Sequence, residues 1–148
     1  MMEMMDMTYA PHIRVAHWNT SKYVVVSSGF FLVPAVYSYT TGLTYFTILS
    51  LLTTVISANY WKNAICSWER IVDRIFARMS FIVYFSNGVY YVRTPTSVIS
   101  SFITFITFTY FYYLSNKYEK TDTWWKYHMA FHLLACYTQC IILNSIVC

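Results

Sequence analysis

Charged side chains are scarce in this chain. Only 11% of its 148 residues are Asp, Glu, Lys or Arg, against about 25% in an ordinary soluble domain, while 57% are hydrophobic and 21% aromatic. That deficit excludes a disordered or purely polar chain and argues against a soluble globular domain, because lipid is the natural solvent for such a composition. Other absences narrow the field further. The four cysteines, Cys66, Cys136, Cys140 and Cys148, form no CxxC pair and no regular framework, so a disulfide scaffold is not expected. No GxxxG pair marks a specific helix interface, and no inverted repeat or matched pair of broken helices points to a transporter. No aromatic-basic face or known motif suggests nucleic-acid binding. The amino end, MMEMMDM, carries Glu3 and Asp6 where a secretory signal has its basic start, so no cleavable targeting segment is expected.

What the chain does have is long uncharged runs. Between Lys22 and Lys62 no charged residue occurs, a stretch about twice the roughly 20 apolar residues that cross a bilayer as a helix. It reads as two spans, about 23–40 and 43–61, turned at Thr40-Thr41-Gly42. A third span covers about 71–92, with Asp73, Arg74 and Arg78 in its first turns, where long basic side chains snorkel to the interface. Arg93-Thr94-Pro95 ends it, Pro95 standing where proline starts a helix. A fourth span covers about 96–114 and a fifth 124–144. The expected fold class is therefore all-α: one integral membrane domain of about five antiparallel spans behind a cytoplasmic tail, residues 1–22. Pro34 removes a helix hydrogen bond in span one and predicts a kink there.

Five spans put the amino-terminal tail and the second-to-third and fourth-to-fifth connections on one side. That side holds Arg14, Lys22, Lys62, Arg70, Arg74, Arg78, Lys117, Lys120 and Lys126, against Arg93 alone on the other. Cationic loops stay on the cytoplasmic face, so the amino end is expected inside and the carboxyl end on the opposite side. The net charge of +4 has the same origin. Under this orientation the sequon Asn19-Thr20-Ser21 stays unmodified. Tyrosine and tryptophan gather at the predicted boundaries, as in Trp61, Trp68, Tyr112, Tyr113, Trp124 and Trp125, where amphipathic rings favour the headgroup layer. Membrane lipids are the expected partners, nucleic acid is not, and self-association stays open.

The informative residues are the polar ones inside spans, because hydrocarbon makes them costly unless they pair, bind a metal or line a wet cavity. Ser57 lies near the end of span two, Asp73 near the start of span three, and His128 and His132 near the start of span five. All fall at the inner end of the bundle, and His12 and His17 approach the same face from the tail. His128 and His132 stand four residues apart, about 6 Å along one helix face, a spacing that holds one metal ion or serves hydrogen bonding between helices. Asp73 can ligate, orient a ligand or act as a general base, or it can pair with Arg70, Arg74 or Arg78. Ser57 can equally bond a carbonyl one turn earlier. Cys136 and Cys140 continue the four-residue ladder, but the rotation of about 40° per step carries Cys140 off the histidine face.

These patches resemble a family. Ser57-Ala58-Asn59-Tyr60-Trp61, then Asp73, then Tyr127-His128-Met129-Ala130-Phe131-His132-Leu133-Leu134 are similar to the three signatures of the CREST superfamily of membrane hydrolases, which includes alkaline ceramidases and the progestin and adiponectin receptors. The resemblance implies a zinc site built on histidines and hydrolysis of an amide bond in a lipid, with Asp73 shuttling protons and Ser57 hydrogen-bonding the developing oxyanion. Two departures stand out. Trp61 occupies the place of the family's first zinc-ligating histidine, and five spans are counted where the family has seven. A third ligand would have to come from His17, with His12 as second choice, or from Asp73 itself. The alternative is a non-catalytic structural or interaction protein whose polar cluster fixes helix packing.

Overall fold

The computed structural model describes residues 10–119 and 121–148, with side chains from residue 13 onward. Glu3 and Asp6 lie outside the described residues, as does the side chain of His12. The elements, in chain order, are β1 (Ala10–Arg14), α1 (Trp18–Ser28), a 3-10 turn (Gly29–Phe31), α2 (Leu32–Thr40), α3 (Thr44–Asn63), β2 (Ile65–Cys66), α4 (Trp68–Tyr91), α5 (Pro95–Lys117) and α6 (Trp124–Val147). The class is helical, as expected. Three stretches are long and apolar enough to cross a membrane: Trp18–Thr40, Pro95–Lys117 and Trp124–Val147. Helices α3 and α4 fill the other two expected positions but do not reach that apolarity. Serine, threonine and asparagine recur through α3, and Glu69, Arg70, Asp73, Arg74 and Arg78 crowd the first turns of α4.

Where a kink is expected at Pro34, the helix changes type one turn upstream. Proline has no N–H to donate four residues back, to the Phe30 carbonyl, and the helix tightens into the 3-10 turn over Gly29–Phe31. The Phe30 carbonyl accepts a backbone N–H at the end of that turn and a second bond from the Cys136 thiol on α6 at 3.2 Å. The turn between α2 and α3 falls where Thr41-Gly42 suggested. Gly42 adopts φ +76°, a left-handed conformation that glycine reaches without a Cβ clash, and the Leu43 N–H closes onto the Ser38 carbonyl at 2.8 Å. Pro95 opens α5, with Thr94 as its N-cap accepting from the Ser97 N–H.

One element was not anticipated. The tail forms β1, which pairs antiparallel with β2. Ala64, at φ +28°, reverses the chain after α3, and its carbonyl accepts the N–H of Val15 at 2.7 Å and that of Ala16 at 3.2 Å. The tail is thereby fastened to the α3–α4 connection. The α5–α6 connection joins them, because Arg70 at the start of α4 pairs with Glu119 at 3.6 Å. Ala16, Val24, Tyr60, Trp61, Ala64 and Trp124 form the apolar cluster beneath these segments. The three segments that the charge pattern assigns to one side thus gather at one end of the bundle.

A second cluster, Phe46, Leu49, Tyr84, Ile142 and Leu143, holds the other end. Helix α6 runs through the middle, packed against α1, α2, α4 and α5. Gly88 on α4 lets α6 close in: a Cβ there would sit 3.2 Å from Ile142 Cδ1. Helix α5 leans on α6 and is otherwise outside, with 6% of its apolar window buried. It meets α4 through the rings of Phe81, Phe85, Phe105 and Phe108 rather than by close backbone packing. The gap left between α4 and α5 becomes the cavity described next.

Candidate functional site

The cavity measures about 860 Å³ and is walled mainly by α3, α4, α5 and α6. That is within the size range of small-molecule binding sites. Ser57, Asp73, His128 and His132, singled out by their positions in the sequence, all line it. His17 does not: it is the N-cap of α1 and exposed. His12 sits in β1, and its side chain is outside the description.

The two histidines fill one helical face, their ring centroids 4.7 Å apart and nearly perpendicular. Each has its Nδ1 occupied by a serine. Ser27 Oγ lies 2.9 Å from His132 Nδ1 and Ser115 Oγ 3.0 Å from His128 Nδ1. Ser27 Oγ also lies 3.0 Å from the Val24 carbonyl; when its one proton goes there, Oγ accepts from Nδ1–H of His132 and Nε2 keeps its lone pair. Ligand histidines are commonly oriented by such a bond on the other nitrogen.

Asp73 belongs to a second chain of hydroxyls. Ser57 is a hydrogen-bond partner of its carboxylate, and Ser28 Oγ stands 3.0 Å from Ser57 Oγ. Ser28 Oγ also lies 2.9 Å from the Val24 carbonyl, so its one proton is shared between that carbonyl and Ser57, and Ser57 is the hydroxyl placed to receive from Ser28 and give to the carboxylate. Ser27 and Ser28 are adjacent on α1 and fully buried. They tie the histidine and the carboxylate branches to one turn of one helix.

Trp61 explains the rest of the geometry. Its ring stands edge-to-face with His128 at 4.9 Å and stacks on Trp124 at 5.1 Å. Indole offers an N–H and no lone pair for a metal, so Trp61 forms a wall of the cavity beside His128. Among the described residues no group of three His, Cys, Asp or Glu side chains is close enough to hold a metal ion. The donor set fits two histidine ligands, short of the three protein ligands of a catalytic zinc.

Ser27, Ser28 and Ser115 were not singled out from the sequence. The signal was present for the first two, a pair of hydroxyls inside the uncharged run ahead of Pro34, whereas Ser115 looks like an ordinary helix-end residue.

The fold and the cavity together define a helical protein with three stretches apolar enough to cross a membrane and a mostly apolar cavity that carries a cluster of polar side chains. Comparison with protein families, curated proteins and solved structures finds no match to this chain.

Proposed function

We propose that the chain is a five-span membrane protein, its amino end cytoplasmic, whose cavity receives a lipid amide in the manner of the ceramidase-like hydrolases it resembles. One observation carries this reading: Ser57, Asp73, His128 and His132, spread over three helices, line one cavity. The phenylalanine rings that bridge α4 and α5 give the cavity an apolar wall suited to an acyl chain. In this reading the scissile amide rests among these four side chains. Ser57 hydrogen-bonds the carbonyl oxygen as it gains charge, Asp73 takes and returns a proton, and His132 offers its Nε2 lone pair.

Zinc enters the reading through His128 and His132, with Asp73 as the carboxylate on the same cavity wall. Bound zinc would polarise the carbonyl and make water acidic. The described residues supply two histidine donors and no complete ligand set.

The second reading is a non-catalytic lipid-binding or interaction protein. It is favoured by Trp61, which packs over His128 where a third ligand would approach. One experiment separates the two. Protein purified in detergent without chelators is analysed for metal and assayed on a fluorescent ceramide, beside the His128→Ala and His132→Ala variants. The hydrolase reading expects about one zinc per chain and turnover, both lost in the variants. Metal-free parent protein that binds the ceramide without cleaving it rejects the hydrolase and leaves the binding protein.

A further inference from the structure

The cations of α4 are balanced unevenly. Arg70 pairs with Glu119 at 3.6 Å, and Arg74 stands close enough to Asp73 to offset part of its charge. Arg78 has no such neighbour. Among the described residues no hydrogen bond, ion pair or ring contact reaches it. Its side chain is exposed and lines the cavity together with Arg74 and Asp73. In the five-span reading Arg78 lies about 10 Å inside span three, where a lone cation is costly unless it snorkels to the interface or meets an anion.

The packing of α4 shows what lies at that depth. Arg70 meets Glu119 on the α5–α6 connection, and the same number of residues further along each helix the rings of Phe81 and Phe108 stack at 6.1 Å. Helices α4 and α5 are therefore antiparallel in a register that sets Arg74 level with Ser115 and Arg78 about one turn, or about 6 Å, deeper. Ser115 is the partner of His128 at 3.0 Å, and Phe108 packs on Phe131 at 4.6 Å. The stretch of α4 from Arg74 to Arg78 thus stands at the same depth as the stretch of α6 from His128 to Phe131. Helix α4 also packs on α6, so an amide resting among Ser57, Asp73, His128 and His132 has the Arg78 guanidinium beside it at nearly its own level.

A guanidinium takes a carboxylate or a phosphate in a bidentate pair. Asp73 and Glu119, which also line the cavity, each face an arginine, so one positive charge is left over. A carboxylate matches it with a single charge in a planar group, whereas a phosphate monoester brings nearly two negative charges close to both carboxylates. The geometry points to a lipid amide that carries a carboxylate next to its amide bond, an N-acylated amino acid, with Arg78 holding the carboxylate. This assignment rests on the lipid-amide reading of the previous section and names its substrate class, but it depends on neither zinc nor cleavage.

The test is binding. N-oleoylglycine and N-oleoylethanolamine share one acyl chain and one amide and differ in ending on a carboxylate or a hydroxyl. Equilibrium binding of each, tritiated, is measured on purified full-length protein in a nonionic detergent. The glycine conjugate is expected to bind about tenfold more tightly, the worth of one charge-assisted hydrogen-bonded pair. In Arg78→Gln that preference disappears while the ethanolamide stays within about twofold of the parent, which also reports that the variant is folded. Arg93→Gln, which removes a cation outside the cavity, keeps the preference. Equal affinities in the parent, as snorkelling of Arg78 would give, or a preference that survives in Arg78→Gln, overturn the carboxylate subsite and leave the lipid cavity standing. Oleoyl lysophosphatidate is expected to bind more weakly than N-oleoylglycine, and tighter binding would overturn the amino acid in favour of a phosphate. If neither amide binds the parent, the lipid-amide reading falls with the subsite.

Discussion

Pro34 and Cys136 lie more than a hundred residues apart and bear on one carbonyl. Proline cannot donate to the Phe30 carbonyl, which keeps a backbone donor at the end of the 3-10 turn and takes a second bond from the Cys136 thiol at 3.2 Å. Cys136→Ala should therefore lower stability in detergent by about 0.5 kcal/mol, the low end for one hydrogen bond because a thiol is a weak donor, with Cys136→Ser close to the parent. Adding Pro34→Ala restores a backbone N–H at position 34, so the double variant should lose less than Cys136→Ala alone. Thermal unfolding of the four proteins measures that coupling, and simple additivity would show that the thiol is a bystander. At this scale the candidate site was half legible. Asp73 and the HxxxH pair announce themselves because ionisable groups are rare in apolar helices. Their partners Ser27, Ser28 and Ser115 do not, because a serine in a helix normally satisfies itself on its own backbone, and only the packing of α1 and α5 against α6 reveals another use. His17 shows the converse: its distance from the cavity depends on how the tail enters α1, which spacing along the sequence does not encode.

Among the elements, the turns were readable and the strands were not. Gly42 and Pro95 each impose a local backbone rule, and α3 and α5 begin where those rules require. The β1–β2 pair has no such signature, since β2 has two residues and neither strand alternates apolar with polar side chains. Its existence follows from tertiary closure, through Ala64 and the carbonyl it presents to Val15 and Ala16. The span count was blurred by α3 and α4, whose hydroxyls and charges dilute their apolarity while serving the interior. The contact of α4 with α6 is the element-scale feature most open to test. Gly88→Val should meet Ile142 at a distance below ordinary contact, force the helices apart and cost about 1–3 kcal/mol. Truncating the obstacle with Ile142→Ala in the same chain should recover part of that loss. A Gly88→Val protein as stable as the parent would mean that α4 and α6 do not approach so closely.

For the molecule as a whole, the distribution of cations and the folded geometry agree in one respect: the tail, the α3–α4 connection and the α5–α6 connection meet at one end. The orientation we propose makes that end cytoplasmic. A reporter fused after Cys148 should accordingly be active only outside, and Asn19, exposed at the start of α1, should remain unglycosylated in a microsomal system. Glycosylation at Asn19 would invert the topology. The central claim is that the polar faces of α1 and α6 turn inward to one cavity, with Ser27 and His132 in contact, while Val26 and Leu133 face outward, 68% and 55% exposed. The direct measurement is thiol bridging in membranes, in a chain carrying Cys66→Ala, Cys136→Ser, Cys140→Ala and Cys148→Ala. With a short bifunctional thiol reagent, the pair Ser27→Cys and His132→Cys should be joined, as joined peptides recovered by mass spectrometry, and the pair Val26→Cys and Leu133→Cys should not. Bridging of the second pair without the first would put the histidines against lipid and contradict the account.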